Sequence, residues 1–454
     1  MHASKPTRAR VTIPIDGKDE HFSPILLRDL CKCPVCIHEF TRQRLYSTTD
    51  IPPEIQVRSV TIVDEALIIH WEHDVPGFDA HHYTSISLDT LRGICKTGIA
   101  PGPAQVSLPK SALWDASSAG VPDFGYKAYM HDDATLLNVM DRLHSHGLVF
   151  ITSVPTAEES VSAIAERMGP IKDTFYGKTW DVRTVPKANN VAYTSADLGF
   201  HTDLLYFDNP AHIQLLHCMQ SSSTGGISVF VDAFKAALDL YAADIDAFNV
   251  LASLRVNYHY EHPASHLYHA TKPVIDMRPL RVAHTTYDNL PDFLQASEST
   301  RKSLKRSAGA ELPSLDVGDC LEKINWGVPF LAPLTLNSGS MEQASSSSTS
   351  TRECLNKKMD DWHAAAKKFS ALLGRPEGLY ERLMKPGECV LFNNTRVLHA
   401  RKAFDSSDVG KARWLRGTYV DKDPFLSKLR VLEYKSEEAS RMALSKGCVD
   451  EVLA

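Results

Sequence analysis

A histidine and a carboxylate two residues apart, His201 and Asp203 in Phe200-His201-Thr202-Asp203, are the first residues of this chain whose types and spacing could do chemistry together. In an extended strand the side chains at i and i+2 leave the same face, so an imidazole and a carboxylate would be delivered side by side. They supply two of the three protein ligands of a 2-His-1-carboxylate triad, a donor set that suits ferrous iron and leaves positions open for a cosubstrate and dioxygen. The third ligand must come from far along the chain. His399, in Asn394-Thr395-Arg396-Val397-Leu398-His399-Ala400-Arg401, follows a strand-like run and is the candidate. Spacing alone does not choose this pair, because His70-Trp71-Glu72, His131-Asp132-Asp133 and His259-Tyr260-Glu261 repeat it. The first lies in a separate N-terminal region, and the second sits where a helix begins and would turn its side chains apart. His259 and Glu261 remain a rival.

Arg413 opens the strand-like run Arg413-Trp414-Leu415-Arg416-Gly417-Thr418-Tyr419-Val420, in which Arg413 and Tyr419 share a face and Arg416 points away. A guanidinium pairs bidentately with a carboxylate, which is what an enzyme needs for the remote end of a dicarboxylate cosubstrate. The ordinary alternative for a single arginine is a surface charge. A second cluster, Cys31, Cys33 and Cys36, crowds three thiols together and favours a soft tetrahedral ion such as structural zinc over a disulfide. By spacing His81 and His82 are equal candidates for its fourth ligand, with His38, His70 and His73 poorer ones.

The elements that must carry these residues fall into two regions. Residues 1–105 alternate β-type runs such as Val60-Thr61-Ile62-Val63 and Ala66-Leu67-Ile68-Ile69 with turn residues and hold the cysteine cluster, as a small β-rich zinc-binding domain would. Residues 106–130 have the composition of a linker, and residues 131–435 form the second domain, with 436–454 as a C-terminal tail. In that domain the spacing predicts a helix from Asp133 that stops at Gly147, a strand at Leu148–Ile151, and a helix from Thr156 with Glu159 completing a capping box and Gly169-Pro170 ending it. Further strands are expected at His212–Cys218, Ile227–Val231, Cys389–Asn393 and Trp414–Val420, with helices near 233–254 and 355–373. Strands spread this widely, with flanking helices, fit a mainly β chain built on a double-stranded β-helix, or jelly roll. The serine-rich stretch 339–352 reads as a low-complexity insertion.

Composition narrows the function. Lys plus Arg at 49 against Asp plus Glu at 55 gives a net charge of −6, without the basic field of a general nucleic-acid binder. No apolar run is long enough for a membrane span. Six of the 9 cysteines (Cys95, Cys218, Cys320, Cys354, Cys389 and Cys448) stand singly, as reduced thiols do in a reducing compartment. A cytoplasmic location is the expectation. The alternative is mitochondrial, since Lys5, Arg8 and Arg10 precede any acid, although strand-forming Val11-Thr12-Ile13 follows almost at once.

With these residues in view the chain resembles the γ-butyrobetaine and trimethyllysine dioxygenase family. Leu27-Arg28-Asp29-Leu30-Cys31-Lys32-Cys33-Pro34-Val35-Cys36 and His82-Tyr83-Thr84 resemble the two elements of that family's N-terminal zinc site. Thr174-Phe175-Tyr176-Gly177-Lys178-Thr179-Trp180, Asn189-Asn190-Val191-Ala192-Tyr193-Thr194, Phe200-His201-Thr202-Asp203, Gln214-Leu215-Leu216-His217-Cys218, Thr224-Gly225-Gly226 and Leu398-His399-Ala400-Arg401 are similar to its catalytic motifs, in the right order. The resemblance implies iron(II) on His201, Asp203 and His399, and 2-oxoglutarate on Arg413 with Thr224, Ser228 and Leu216 beside it. It also implies zinc on Cys31, Cys33, Cys36 and His82, with ascorbate as an optional reductant.

It further implies a trimethylammonium substrate in an aromatic cage of Tyr176, Trp180, Tyr193 and Tyr419, with dioxygen as the co-reactant and a homodimer as the common assembly. The neutral amide of Asn190 favours γ-butyrobetaine, hydroxylated to L-carnitine, over trimethyllysine. Lys323-Ile324-Asn325-Trp326-Gly327-Val328-Pro329 departs from the family's asparagine-rich stretch, which leaves the anionic end of the substrate less well matched. Another betaine or a sulfonate is the alternative substrate, and a zinc-containing interaction protein without catalysis is the alternative from a different class.

Overall fold

A computed structural model describes residues 10–78, 81–98, 108–183, 194–221, 225–282, 285–287, 317–334, 351–404 and 413–450. The chain divides into two compact units, Met1–Val106 and Ser107–Ala454. In the first, β1 (Val11–Ile15) and β2 (Lys18–Phe22) form a hairpin, and β3 (Val57–Val63), β4 (Ala66–Trp71) and β5 (Tyr83–Ser87) form an antiparallel sheet. Strand β4 alternates buried and half-buried residues, and its inward side chains Leu67, Ile69 and Trp71 join Ile13, Ile15, Phe22 and Leu91 in one core. Helix α1 (Pro24–Asp29) leads straight into the cysteine cluster, and α2 (Leu88–Thr97) follows β5.

The second unit is a two-sheet β-structure flanked by helices. Its larger sheet has the order β6 (Asp123–Gly125), β7 (Leu148–Thr152), β19 (Cys389–Asn393), β10 (Ile213–Gln220), β21 (Trp414–Val420), β8 (Trp180–Arg183). The smaller has the order β18 (Leu379–Arg382), β11 (Ser228–Asp232), β20 (Val397–Arg401), β9 (Leu198–His201). All pairings are antiparallel except β6 with β7. Phe150, Leu216, Val390, Phe392 and Leu415 of the large sheet meet Phe230 and Val397 of the small one to form the core between them. The other face of the large sheet carries Val149, Ile151, Ile213, Leu215 and Leu391, covered by α3 (Tyr126–His131), α4 (Asp133–Ser145), α5 (Ser160–Met168) and the C-terminal helix. Burial on both faces explains why β7 and β19 are almost wholly apolar in sequence rather than alternating.

Helices α6 (Ala233–Ala243) and α7 (Ile245–Ser253) pack with α8 (Thr351–Leu373) over the short strands β14 (Ile275–Met277) and β17 (Leu321–Ile324). The hairpin β12 (Arg255–His262) and β13 (His266–Pro273) and the ribbon β15 (Leu280–Val282) with β16 (Thr285–Tyr287) complete the unit, and α9 (Lys422–Asp450) ends it. Among the described residues no helix is long and apolar enough to cross a membrane.

The expected helix at 133 and the strands at 148, 213, 228, 389 and 414 are present. Three boundaries differ. The helix expected from Thr156 starts at Ser160 with Glu159 as a cap that makes no side-chain hydrogen bond. Its preceding residues instead turn after Ser153, at φ 59°, and Glu158 reaches out to Arg416. The helix expected across 233–254 is two, because Asp244 leaves helical geometry and caps the second through the amide of Ala247. Helix α9 also runs on through residue 435, where a tail was expected to begin.

One ion pair ties the layers together. Arg396 and Asp232 are 1% and 0% exposed at the side chain and 2.7 Å apart. Asp232 also caps α6 through the amides of Phe234 and Lys235 and accepts from the amide of Trp114. Arg396 spends its remaining donors on Ser111 and on the carbonyls of Ala112 and Ser145. Beside it Gly147, at φ 81°, lets the chain turn out of α4 where an added Cβ would strike Val397 at 2.8 Å. Removing one partner would strand a buried charge, so Arg396→Met is expected to cost about 3–5 kcal/mol in urea unfolding.

Burial pushes the imidazoles of His144, His146, His212 and His217 down to about 4, 4, 3 and 4, with neighbouring cations contributing at the first three. The unfolded chain therefore takes up protons below about 6.5 that the fold refuses, and stability must fall as pH drops from about 6.5 to about 4. Thermal midpoints measured across that range should show the slope. His217→Leu should flatten it and cost little at pH 7.5, because neither His217 ring nitrogen has a hydrogen-bond partner.

Candidate active site and metal centres

The triad is assembled by strand register. Within the small sheet His399 on β20 lies directly opposite His201 on β9, and their rings are 4.1 Å apart. Strand β9 ends at His201, and Thr202 turns its hydroxyl the other way, to the carbonyl of Ile324. Asp203 then returns to the histidine face, with Oδ1 3.3 Å from His201 Nε2. The next residue, Leu204, closes the turn at φ 60°. His201 Nδ1 lies 2.9 Å from the carbonyl of Gly199. As a donor there, it leaves the Nε2 lone pair on the Asp203 side.

Asn394 fixes the Asp203 backbone from both directions, accepting its amide proton and donating to its carbonyl. Burial alone would raise the Asp203 carboxyl, yet hydrogen bonding with His201, the nearby His399 and the Tyr419 hydroxyl hold it well below the usual carboxylate range. Burial, then His201, pushes His399 down to about 3, so its imidazole is neutral as a ligand must be. His201, Asp203 and His399 bring their ligand atoms within 4.8 Å of one another. Two neutral imidazoles and a carboxylate on one side of an open cavity fit a ferrous ion. The rival pair, His259 and Glu261, contacts itself at 3.2 Å on the β12–β13 hairpin and joins no such group among the described residues.

The cavity beside the triad has an empty volume of ≈ 880 Å³, counting the open solvent at its mouth. Arg413 reaches into it from the residue before β21, 6% exposed, and among the described residues it has neither an ion pair nor a hydrogen bond. Burial, then Arg401, lowers its guanidinium to about 10. A buried cation with no anion is costly unless a ligand supplies one. A dicarboxylate with one end at the triad and the other at Arg413 meets that need. Arg401 also lines the cavity, but it donates to the carbonyls of Thr194 and Ala196. Ser228 and Leu216 line it as the sequence implied. Asn190, Tyr193 and Thr224 lie outside the described residues.

Tyr176, Trp180 and Tyr419 form an aromatic wall. Trp180 stacks on Tyr419 at 4.0 Å and 25°, and the bare backbone of Gly417 makes the room, since a Cβ there would come within 2.6 Å of the indole. Tyr206 and Phe330 extend the wall, and sequence reading missed both. Tyr206 stands three residues beyond Asp203 on the same turn, which was the available signal. Asn325 is fully buried, donates to the carbonyl of Pro273 and is absent from the cavity lining, which has Pro329 and Phe330 instead.

The N-terminal unit holds the second cluster. His82 Nε2 lies 3.6, 3.4 and 3.3 Å from the sulfurs of Cys31, Cys33 and Cys36, so the choice between His81 and His82 falls to His82. Three thiols and an imidazole in a buried group fit zinc. Asp74 takes the other His82 nitrogen at 2.5 Å and pairs with Arg28, whose guanidinium lies over the rings of Tyr46 and Phe78 and reaches back to Cys36.

Comparison with known proteins finds matches to both units of the chain. Residues 109–419 match the family model described as "Taurine catabolism dioxygenase TauD, TfdA family", and residues 5–92 match "Gamma-butyrobetaine hydroxylase-like, N-terminal". The chain is 32% identical to "Dioxygenase str8" of Strobilurus tenacellus, over 89% of this chain and 84% of that protein. It is 27% identical to "Gamma-butyrobetaine dioxygenase" of Pseudomonas sp. (strain AK-1), over 92% of each. To "Trimethyllysine dioxygenase, mitochondrial" of Gallus gallus it is 25% identical, over 90% and 83%. Because Asp74 orients the ligand histidine, Asp74→Ala is expected to weaken zinc about 10- to 100-fold, read by metal analysis after dialysis against a chelator.

Proposed function

This chain belongs to the taurine catabolism dioxygenase TauD, TfdA family and is a 2-oxoglutarate-dependent dioxygenase; from that premise we propose that it hydroxylates a small trimethylammonium compound, γ-butyrobetaine first among them, to L-carnitine. The observation that carries the reading is the buried Arg413, without a partner among the described residues, in one cavity with the His201–Asp203–His399 group and a stacked aromatic wall. The similarity to relatives named for γ-butyrobetaine and trimethyllysine supports the substrate class.

In this reading His201, Asp203 and His399 hold iron(II), and Arg413 takes the far carboxylate of 2-oxoglutarate in a bidentate pair. The iron with its cosubstrate and dioxygen supplies the oxidising power, and 2-oxoglutarate leaves as succinate and carbon dioxide. The rest is the work of the protein. A quaternary ammonium donates no hydrogen bonds, so the faces of Tyr176, Trp180 and Tyr419 recognise it, each for about 0.5–2 kcal/mol. Held by that end, the substrate presents its backbone toward the histidines, and the aromatic wall keeps bulk water from the reacting carbon. Asn190 lies outside the described residues, and its neutral amide suits a carboxylate-bearing substrate better than an acid would.

Succinate release stimulated by γ-butyrobetaine, compared with trimethyllysine and with other betaines, tests the assignment. Arg413→Ala should raise the KM for 2-oxoglutarate by about 100-fold or more, the cost of losing one partner of a buried charge pair. Stimulation by trimethyllysine alone moves the substrate while keeping the reaction, and failure of any trimethylammonium compound to yield hydroxylated product overturns the class.

A further inference from the structure

Gln214 is a buried amide in an apolar strand, 2% exposed between Ile213 and Leu215, and ligand binding alone does not account for it. Its Nε2 donates to Asp203 Oδ2 at 2.7 Å, while its Oε1 has no partner. A carboxylate can only accept, so the amide orientation is fixed with nitrogen toward Asp203. Gln214 lines the cavity, and the bond to Asp203 is the one its side chain makes among the described residues. The hydroxyl of Tyr419 donates to the same Oδ2, also at 2.7 Å. Gln214 on β10 and Tyr419 on β21 are direct cross-strand partners, so the sheet delivers the two donors together. Oδ2 is saturated, and Oδ1 is the oxygen left on the His201 side.

Tyr419 has a second contact. Its ring stacks on Trp180, so one side chain touches both the iron carboxylate and the aromatic wall. We propose that Tyr419 is a positioning residue that joins the ammonium pocket to the iron ligand. A cation docked against Trp180 and Tyr419 fixes the ring, and the ring holds its hydroxyl on Asp203. With Gln214 as the second donor, Asp203 then offers one oxygen in one orientation. This rests on the reading of His201, Asp203 and His399 as the iron site. Because coupling between two sites is reciprocal, cation binding must tighten metal binding, and metal must tighten the cation.

The test uses Mn(II), which is redox-silent, titrated into full-length protein with 2-oxoglutarate and followed by the resonance of the free ion, with and without saturating tetramethylammonium. Wild-type protein should bind Mn(II) about 5-fold or more tightly when the cation is present. Tyr419→Phe keeps the ring and loses the donor. It should bind Mn(II) about 10-fold more weakly and lose the response to tetramethylammonium. Gln214→Leu should weaken Mn(II) to a similar degree yet keep the response, which a general loosening of the strands would not allow. Equal affinity and equal response in wild type and Tyr419→Phe overturn the proposal, as does a wild type indifferent to tetramethylammonium or a Gln214→Leu protein that also loses the response. A wild type that binds no Mn(II) instead overturns the iron-site reading beneath it.

Discussion

The active site depends on a single alignment: His399 stands opposite His201 across an antiparallel ladder, with Phe230 of the next strand on its other side. A slip of one residue would turn His399 to the opposite face and leave His201 and Asp203 without a third ligand. The surrounding structure guards that alignment. Phe230 and Val397 lock the small sheet into the inter-sheet core, Asn394 ties the start of β20 to the backbone of Asp203, and Arg396 anchors the same turn to α6. Two stretches of chain nearly two hundred residues apart thus behave as one rigid element.

Buried guanidiniums distinguish structure from function in this molecule. Arg28 is wholly buried and answered by Asp74 and two aromatic rings. Arg396 is equally buried and answered by Asp232. Arg401 is held by two backbone carbonyls. Arg413 alone of these four has neither anion nor carbonyl among the described residues, and it faces the open cavity. The first three carry the cost of burial within the fold, whereas the fourth leaves it to be met from outside.

Much of this was legible in the sequence, for physical reasons that differ by element. Strands buried on both faces announce themselves as apolar runs, so Cys389–Asn393 and Trp414–Val420 were placed to the residue. The i, i+2 spacing marked His201 and Asp203, and the strand period put Arg413 and Tyr419 on one face. What periodicity does not encode is which of several suitable side chains converge. His82 is preferred to His81 because Asp74, eight residues earlier, meets its ring. His259 with Glu261 satisfies the same spacing as His201 with Asp203 but sits on a hairpin with no third candidate ligand among the described residues. Tyr206 and Phe330 entered the cavity through a turn and a short loop, whose paths are set by tertiary packing. The capping box at Thr156 lost to the turn at Ser153, a local preference overruled by its surroundings.

The Arg396–Asp232 pair also bears on how this protein could change over evolutionary time. Each residue alone answers for the other's charge, and Asp232 additionally begins a helix while Arg396 stands three positions from a metal ligand. A lineage drifting at either position passes through an intermediate that folds poorly, so the two can be replaced only together. Divergence toward new substrates is therefore channelled away from this turn and into the cavity wall, where half-buried Phe330 lies outside both sheets.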